Sequence, residues 1–275
     1  MPELPETETI AQDLERLITG ATIVSVAVPR PDVLREVSPR VLASRVKATR
    51  IVRCWRRAKM VVMDLSSGDR LAVQPRFTGA LLIDDGSLDP REREYAAVRF
   101  ALADGRALIY RDIRRLGTVA LMRAGRFAAC DAALGREPLD AAFSAADLAR
   151  ILSRSRAAVK RVLMDQKRIA GVGNIYANEA LWRAGIDPSR TARSLSDADA
   201  AALHAALTGV LREAIAERGT SFRDYRDAGG RQGGFARKLA VYGRAGRPCP
   251  RCGATLIGTH AIDGRSTVLC AHCQQ

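Results

Sequence analysis

The spacing of apolar and polar residues changes character twice along this chain. Over residues 5–19, Ile10, Leu14, Leu17 and Ile18 form one stripe at helical spacing. Pro5 suits the first turn of that helix, and Gly20 supplies its stop. From about 21 to 123 the period shortens. The runs "ATIVSVAV", "RLAV", "ALLID", "AAVRFAL" and "ALIYRD" predict short strands, with turns at "SSGD" and "ADGR". Strands at hairpin spacing predict a sandwich or barrel. From 144 the helical period returns. Ser144 with Asp147, and Ser196 with Asp199, read as capping boxes, and Leu203, Leu207, Val210, Leu211 and Ile215 predict an amphipathic helix. Past Gly219 lies a glycine-rich loop, "DAGGRQGGFARK".

Charge narrows the class of partner. Lys and Arg number 44 against 30 acidic residues, a formal net charge of +14. Arg dominates, and its planar fork suits bidentate phosphate contacts. A chain this basic points to nucleic acid. No stretch approaches 18 consecutive apolar residues, so no membrane span is expected. The start lacks a basic region followed by an apolar run, so the expected location is the cytoplasm.

Six cysteines fall into two groups. Cys54 and Cys130 sit in apolar surroundings and read as small buried hydrophobes. The others form two knuckles, Cys249-Pro-Arg-Cys252 and Cys270-Ala-His-Cys273, seventeen residues apart. That spacing matches a tetrahedral four-thiolate zinc site with no open position, hence one structural Zn2+. His272 competes as a ligand, but the two-residue spacing favours Cys273. The segment 235–275 carries six basic residues against one aspartate.

A glycine-rich turn in "AGVGNIYANEALWRAGIDP" (170–188) opens onto a predicted helix. Such a turn presents N–H groups at the positive end of a helix dipole and suits a phosphate, with Asn174 as an added donor and Lys160 on the preceding helix. An ordinary helix–helix turn using Gly171 and Gly173 for positive φ is the competing reading.

Taken together, these stretches resemble the formamidopyrimidine-DNA glycosylase family, which is shared with endonuclease VIII. The resemblance runs nearly end to end. It is carried by "PELPE" (2–6), "RRAK" (56–59), "RRLG" (114–117), "LMDQKRIAGVGNIYANEALWRAGIDP" (163–188), "VYGRAGRPC" (241–249) and the terminal cysteines. It implies an α+β multidomain fold: an N-terminal β-sandwich with a leading helix (1–130), a helical domain with a helix–two-turns–helix motif (131–238), and a β-hairpin zinc finger (239–275). It implies excision of oxidised purines such as formamidopyrimidine and 8-oxoguanine from duplex DNA, then strand cleavage at the abasic site, by a monomer.

Residue by residue, the resemblance makes Pro2 the nucleophile after methionine removal, with an α-amino pKa of about 8. Glu3 matches the essential carboxylate, and Glu6 an acid that positions the first turn. Lys59, Lys160, Asn174 and Arg265 match phosphate-binding positions. Glu8 is assigned to solvent. Phe77 stands where the family carries the methionine that fills the gap left by a flipped base, within Gln74-Pro75-Arg76-Phe77 in place of His-Leu-Gly-Met. Arg114 matches the arginine facing the orphaned base, and Leu116 replaces a phenylalanine wedge. For Phe77 and Leu116 the competing reading is a place in the β core. A histidine-bearing stretch of the family reads Glu94-Tyr95-Ala96 here. The loop at 226–237 resembles the flexible one that covers oxidised purine, which favours the formamidopyrimidine branch over endonuclease VIII. Two further readings stand beside the enzyme: a catalytically silent damage-binding protein, and a basic zinc-ribbon RNA binder.

Overall fold

The computed structural model describes residues 2–222 and 224–275. Its contacts divide the chain into two compact units, residues 1–132 with 217–236, and residues 133–216 with 237–275. Residues 217–236, which the resemblance groups with the helical domain, thus make their contacts with the first unit.

The first unit begins with α1 (Leu4–Ile18), which buries Ile10, Leu14 and Ile18 and leaves Leu17 exposed. The apolar stripe is therefore narrower than its spacing predicts. There follow β1 (Ile23–Ala27), β2 (Leu34–Arg35), α2 (Pro39–Val46), β3 (Ile51–Arg57), β4 (Met60–Leu65), β5 (Asp69–Gln74), β6 (Gly79–Asp84), α3 (Pro90–Glu94), β7 (Ala96–Leu102), β8 (Ala107–Asp112), β9 (Thr118–Arg123) and α4 (Ala124–Ala132). One sheet runs β1-β7-β8-β6 and the other β2-β9-β5-β4-β3. All pairings are antiparallel except β2 with β9.

The two sheets and α1 share one core. Phe100, Leu108 and Leu81 from the first sheet join Val61, Met63, Leu71, Val73 and Leu121 from the second. Alternate residues of the second sheet, Val62 and Ala72, face the other way and pack against Phe127 of α4. Burial on both faces is why "MVVMDL" reads as a continuous apolar run without strand alternation.

The second unit contains α5 (Ala145–Ser153), α6 (Val159–Met164), α7 (Asn174–Ala184) and α8 (Asp197–Ala216), then β10 (Ile257–Thr259) paired with β11 (Thr267–Leu269). Both capping boxes form: Ser144 N–H donates to Asp147 at 2.8 Å and Ser196 N–H to Asp199 at 3.0 Å. The hairpin's own small core, Val241, Leu256 and Val268, is completed by Trp182 of α7. Among the described residues, no helix is long and apolar enough to cross a membrane.

Candidate functional site

The first turn of α1 is built around two buried carboxylates. Pro2 is buried, and Glu3 and Glu6 are 2% and 1% exposed. Glu3 is the N-cap residue; its N–H donates to Glu6 Oε2 at 2.7 Å. The second oxygen of Glu6 accepts the N–H of Thr220 at 2.7 Å. Gly219 precedes it at φ +83°, and a Cβ there would lie 2.9 Å from the Glu6 side chain. Tyr225 adds a hydroxyl bond to the Glu6 carbonyl at 3.3 Å. One carboxylate thus clamps the Pro2–Glu3 turn to Thr220.

Lys59 sits in the two-residue turn between β3 and β4, 8% exposed, beside Ala58 at φ +52°. Arg56 ties that turn to α1: it donates to the Ala58 carbonyl at 3.1 Å and to Glu8 at 2.7 Å. Glu8 is therefore an ion-pair partner and not a solvent-facing acid, because the basic β3 runs beside α1. The turn that carries Lys59 is thus tied to α1 at Glu8.

A second constellation lies on two adjacent loops. Phe77 and Leu116 are 48% and 40% exposed, so neither belongs to the β core. The Arg114 guanidinium lies 5.3 Å from the centre of the Phe77 ring. Phe77 rides a tight turn in which Gly79 N–H donates to the Pro75 carbonyl at 3.0 Å; a Cβ at Gly79 would sit 2.3 Å from that oxygen.

Asp112, 2% exposed, holds both loops. It accepts from the Thr78 hydroxyl at 2.5 Å, from Gly117 N–H at 2.8 Å and from Tyr110 at 3.0 Å, while Thr78 Oγ1 accepts the Arg114 N–H at 2.9 Å. Burial, then the neighbouring Asp112 carboxylate, pushes the Tyr110 hydroxyl above its ordinary range, which keeps it a donor. Sequence reading missed this residue. Its signal is an acid at the end of an otherwise apolar strand, immediately before "IRRLG".

The loop expected at 226–237 differs from the expectation. Asp227 is fully buried and accepts from Arg218 at 2.6 Å and from the N–H groups of Gly229 and Arg231 at 3.0 and 2.9 Å. Ala228 is buried too, and its carbonyl accepts the Ile83 N–H at 2.9 Å. Glycine content signalled a loop, but the aspartate within it pins the backbone. Gly229, Arg231 and Gln232 stay exposed beyond that pinned stretch, as does Phe222 before it, at 59%.

In the second unit, three predicted residues converge on the β10–β11 turn. Asn174 Nδ2 donates to the Ser266 carbonyl at 2.9 Å, and Lys160 Nζ to the same oxygen at 3.3 Å. Lys160 is fully buried; it also donates to Thr267 Oγ1 at 2.7 Å and pairs with Asp263 at 3.6 Å. It is therefore a brace beneath the turn and not a surface phosphate ligand, because a buried ammonium requires fixed partners. Arg265, on the same turn, is exposed. The loop before α7 is stapled by Gln166, whose amide donates to the carbonyls of Met164 and Val172 and accepts from Gly171 N–H. Glu179, fully buried and also missed from sequence, accepts the N–H groups of Ala240, Val241 and Tyr242 within 3.0 Å.

The sulfurs of Cys249, Cys252, Cys270 and Cys273 lie within 4.8 Å of one another, with 4.0 Å between Cys249 and Cys273 and 3.5 Å between Cys252 and Cys270. Tetrahedral zinc with bonds of about 2.3 Å to sulfur needs edges near 3.8 Å, so the set fits. His272 is exposed and outside the group. Of the two isolated cysteines, Cys54 is buried and burial pushes its thiol up to about 12, whereas Cys130 is only half-buried.

Known proteins match this arrangement throughout. Family models described as the formamidopyrimidine-DNA glycosylase N-terminal domain, its H2TH domain, and the zinc finger found in FPG and IleRS match residues 1–119, 134–225 and 246–275. A formamidopyrimidine-DNA glycosylase of Chloroflexus aggregans is 43% identical, covering 100% of this chain and 98% of its own. The crystal structure of the MutM (Fpg) protein of Thermus thermophilus superposes with a TM-score of 0.87 at 36% identity, covering 99% and 98% of the two chains. The Lactococcus lactis Fpg in complex with DNA containing an abasic site gives 0.91 at 29% identity, covering 99% of each. The chain belongs to the formamidopyrimidine-DNA glycosylase family.

Proposed function

We propose that this chain is a bifunctional DNA glycosylase and abasic-site lyase that removes oxidised purines from duplex DNA, as a monomer in the cytoplasm. The observation that carries the reading is the buried Pro2–Glu3 turn, clamped by Glu6. With methionine removed, the Pro2 secondary amine attacks the deoxyribose anomeric carbon, and the damaged base leaves with its bonding pair. The resulting iminium has no N–H proton to lose, so it stays cationic and draws electrons from the sugar. Loss of the 2′ proton then expels the 3′ phosphate, and a second elimination expels the 5′ phosphate. Glu3 protonates the ring oxygen and shuttles protons afterward. The chemistry requires the nucleotide to be flipped out of the stack. Phe77 fills the vacancy, Arg114 bonds the orphaned base, and Leu116 wedges beside them. Lys59, Asn174 and Arg265 hold phosphates, with Lys160 bracing the Arg265 turn. One zinc ion, held by the four cysteines, keeps the finger folded and takes no part in the reaction.

Borohydride reduction with a panel of defined lesion duplexes tests the reading. A covalent protein–DNA adduct through the N-terminus is expected on abasic and oxidised-purine duplexes. A processed, metal-replete protein that traps on none of them is a silent damage binder; preference for structured RNA over duplex favours the zinc-ribbon alternative. A preference for oxidised pyrimidines would move the chain toward endonuclease VIII.

The exposed Phe77 makes a second test sharp. Stacking of a base on an aromatic ring contributes about 1–3 kcal/mol, so Phe77→Ala should weaken lesion-duplex binding by that much while leaving the melting temperature nearly unchanged. A core phenylalanine would instead cost about 3–5 kcal/mol of stability. Arg114→Ala should keep the salt dependence of binding yet flatten discrimination among opposite bases. A large loss of melting temperature with unchanged affinity would remove Phe77 from the stack.

A further inference from the structure

The site as described leaves one buried cation without a role. Arg111, on β8, is 2% exposed. Its Nε pairs with Glu92 of α3, Nη1 donates to the Thr78 carbonyl at 2.6 Å, and Nη2 donates to the Asp224 carbonyl at 3.3 Å. Thr78 follows Phe77 directly. Asp224 directly precedes Tyr225, whose hydroxyl donates to the Glu6 carbonyl in the first turn of α1, where Glu6 also holds the Glu3 N–H. One planar fork therefore joins the loop that bears Phe77 to the segment that flanks the nucleophile. A lysine, a point charge with one nitrogen, cannot span Glu92 and both carbonyls in the same way.

We propose that Arg111 is a specificity-determining positioning residue, which couples insertion of Phe77 into the stack to the seating of Asp224 and Tyr225 beside the extruded nucleotide. The inference rests on the wedge and nucleophile roles given under the proposed function. Its chemical consequence is selective. Removing a base requires both the vacated stack and the extruded base to be held at once. A duplex that already lacks the base presents only a sugar to Pro2, so it needs the wedge and the amine but no cover. Loss of the fork should separate base excision from cutting at a preformed abasic site.

The test uses the full-length, zinc-loaded protein with Arg111→Lys and Arg111→Met, each assayed under single turnover on an 8-oxoguanine duplex and on an abasic duplex. Because small misplacements are costly in preorganised sites, excision should fall about tenfold or more while abasic cutting stays within about threefold. Preference among opposite bases should narrow in step. Glu92→Gln, which leaves both carbonyl contacts in place, should keep the wild-type ratio of the two activities. If Arg111→Met fails to fold, Arg111→Lys and Glu92→Gln decide. An equal fall in both activities, or an Arg111→Lys ratio equal to wild type, overturns the inference. Wild-type protein that neither traps nor cuts abasic DNA removes the underlying reading instead, so the two failures are distinguishable.

Discussion

Replacing Pro2 with glycine should lower base excision on the order of 100-fold or more, the scale of losing an activated nucleophile. Glycine still offers an amine, but a primary one. Its adduct can shed the N–H proton and become a neutral imine, which is a poorer electron sink. An uncleaved N-terminal tag should have the same effect by converting the amine to an amide. Glu3→Gln should cost roughly 10²–10⁴-fold, as removal of a proton-transfer group does. Both variants should melt near the parent, because the Glu6 clamp on the Glu3 backbone N–H is retained and Glu3→Gln keeps a side-chain oxygen to accept the Glu6 N–H in the capping box. Quantitative borohydride trapping and single-turnover excision read the result. Full trapping by a blocked N-terminus would move the nucleophile elsewhere.

Loss of the metal should be the largest change in stability. Structural zinc sites in small modules contribute about 10 kcal/mol or more, so Cys249→Ser or Cys273→Ser should release the ion and unfold the finger. Against burial that would raise it, the N–H groups of Arg251 and Cys252 hold Cys249 down at about 6. Burial and the neighbouring sulfurs push Cys273 up to about 12. With the finger gone, Arg265 loses its turn, and duplex affinity should collapse. Arg265→Ala alone should weaken binding across sequences and reduce the salt slope by about one. Metal content, far-ultraviolet dichroism and DNA titration at several salt concentrations measure these effects. Specific binding that survives chelation unchanged would detach the finger from the DNA grip.

What could be read from residues alone was set by the range of the interaction. Ser144 with Asp147 and the two cysteine knuckles are legible because both partners lie a few residues apart. The roles assigned to Pro2 and Glu3 come from the resemblance alone, since nothing in a ten-residue start dictates chemistry. Strands β3, β4 and β9 escaped notice because arginines in β3 and two-sided burial of β4 hide the alternation. Glu179 and Arg111 escaped because they hold backbone groups on distant segments, which leave no mark in a sequence, and Asp112 because the Thr78 hydroxyl it accepts lies 34 residues away. Lys160 shows the converse: spacing placed it near a phosphate-suited turn, but only coordinates reveal that its ammonium is consumed beneath the turn.

The return of residues 217–236 to the first unit has a consequence for biosynthesis. Thr220 lies 214 residues after Glu6, and Arg218 lies 205 after Asp13, its ion-pair partner. A chain emerging N-terminus first makes its sheets early. The Pro2–Glu3 turn, however, stays unlatched from Thr220 until nearly the whole chain has left the ribosome. Closure over such separations is slow in the same way that high contact order slows any fold. The nascent chain therefore spends most of its synthesis with its first turn unfastened, open to any processing that acts on a free start.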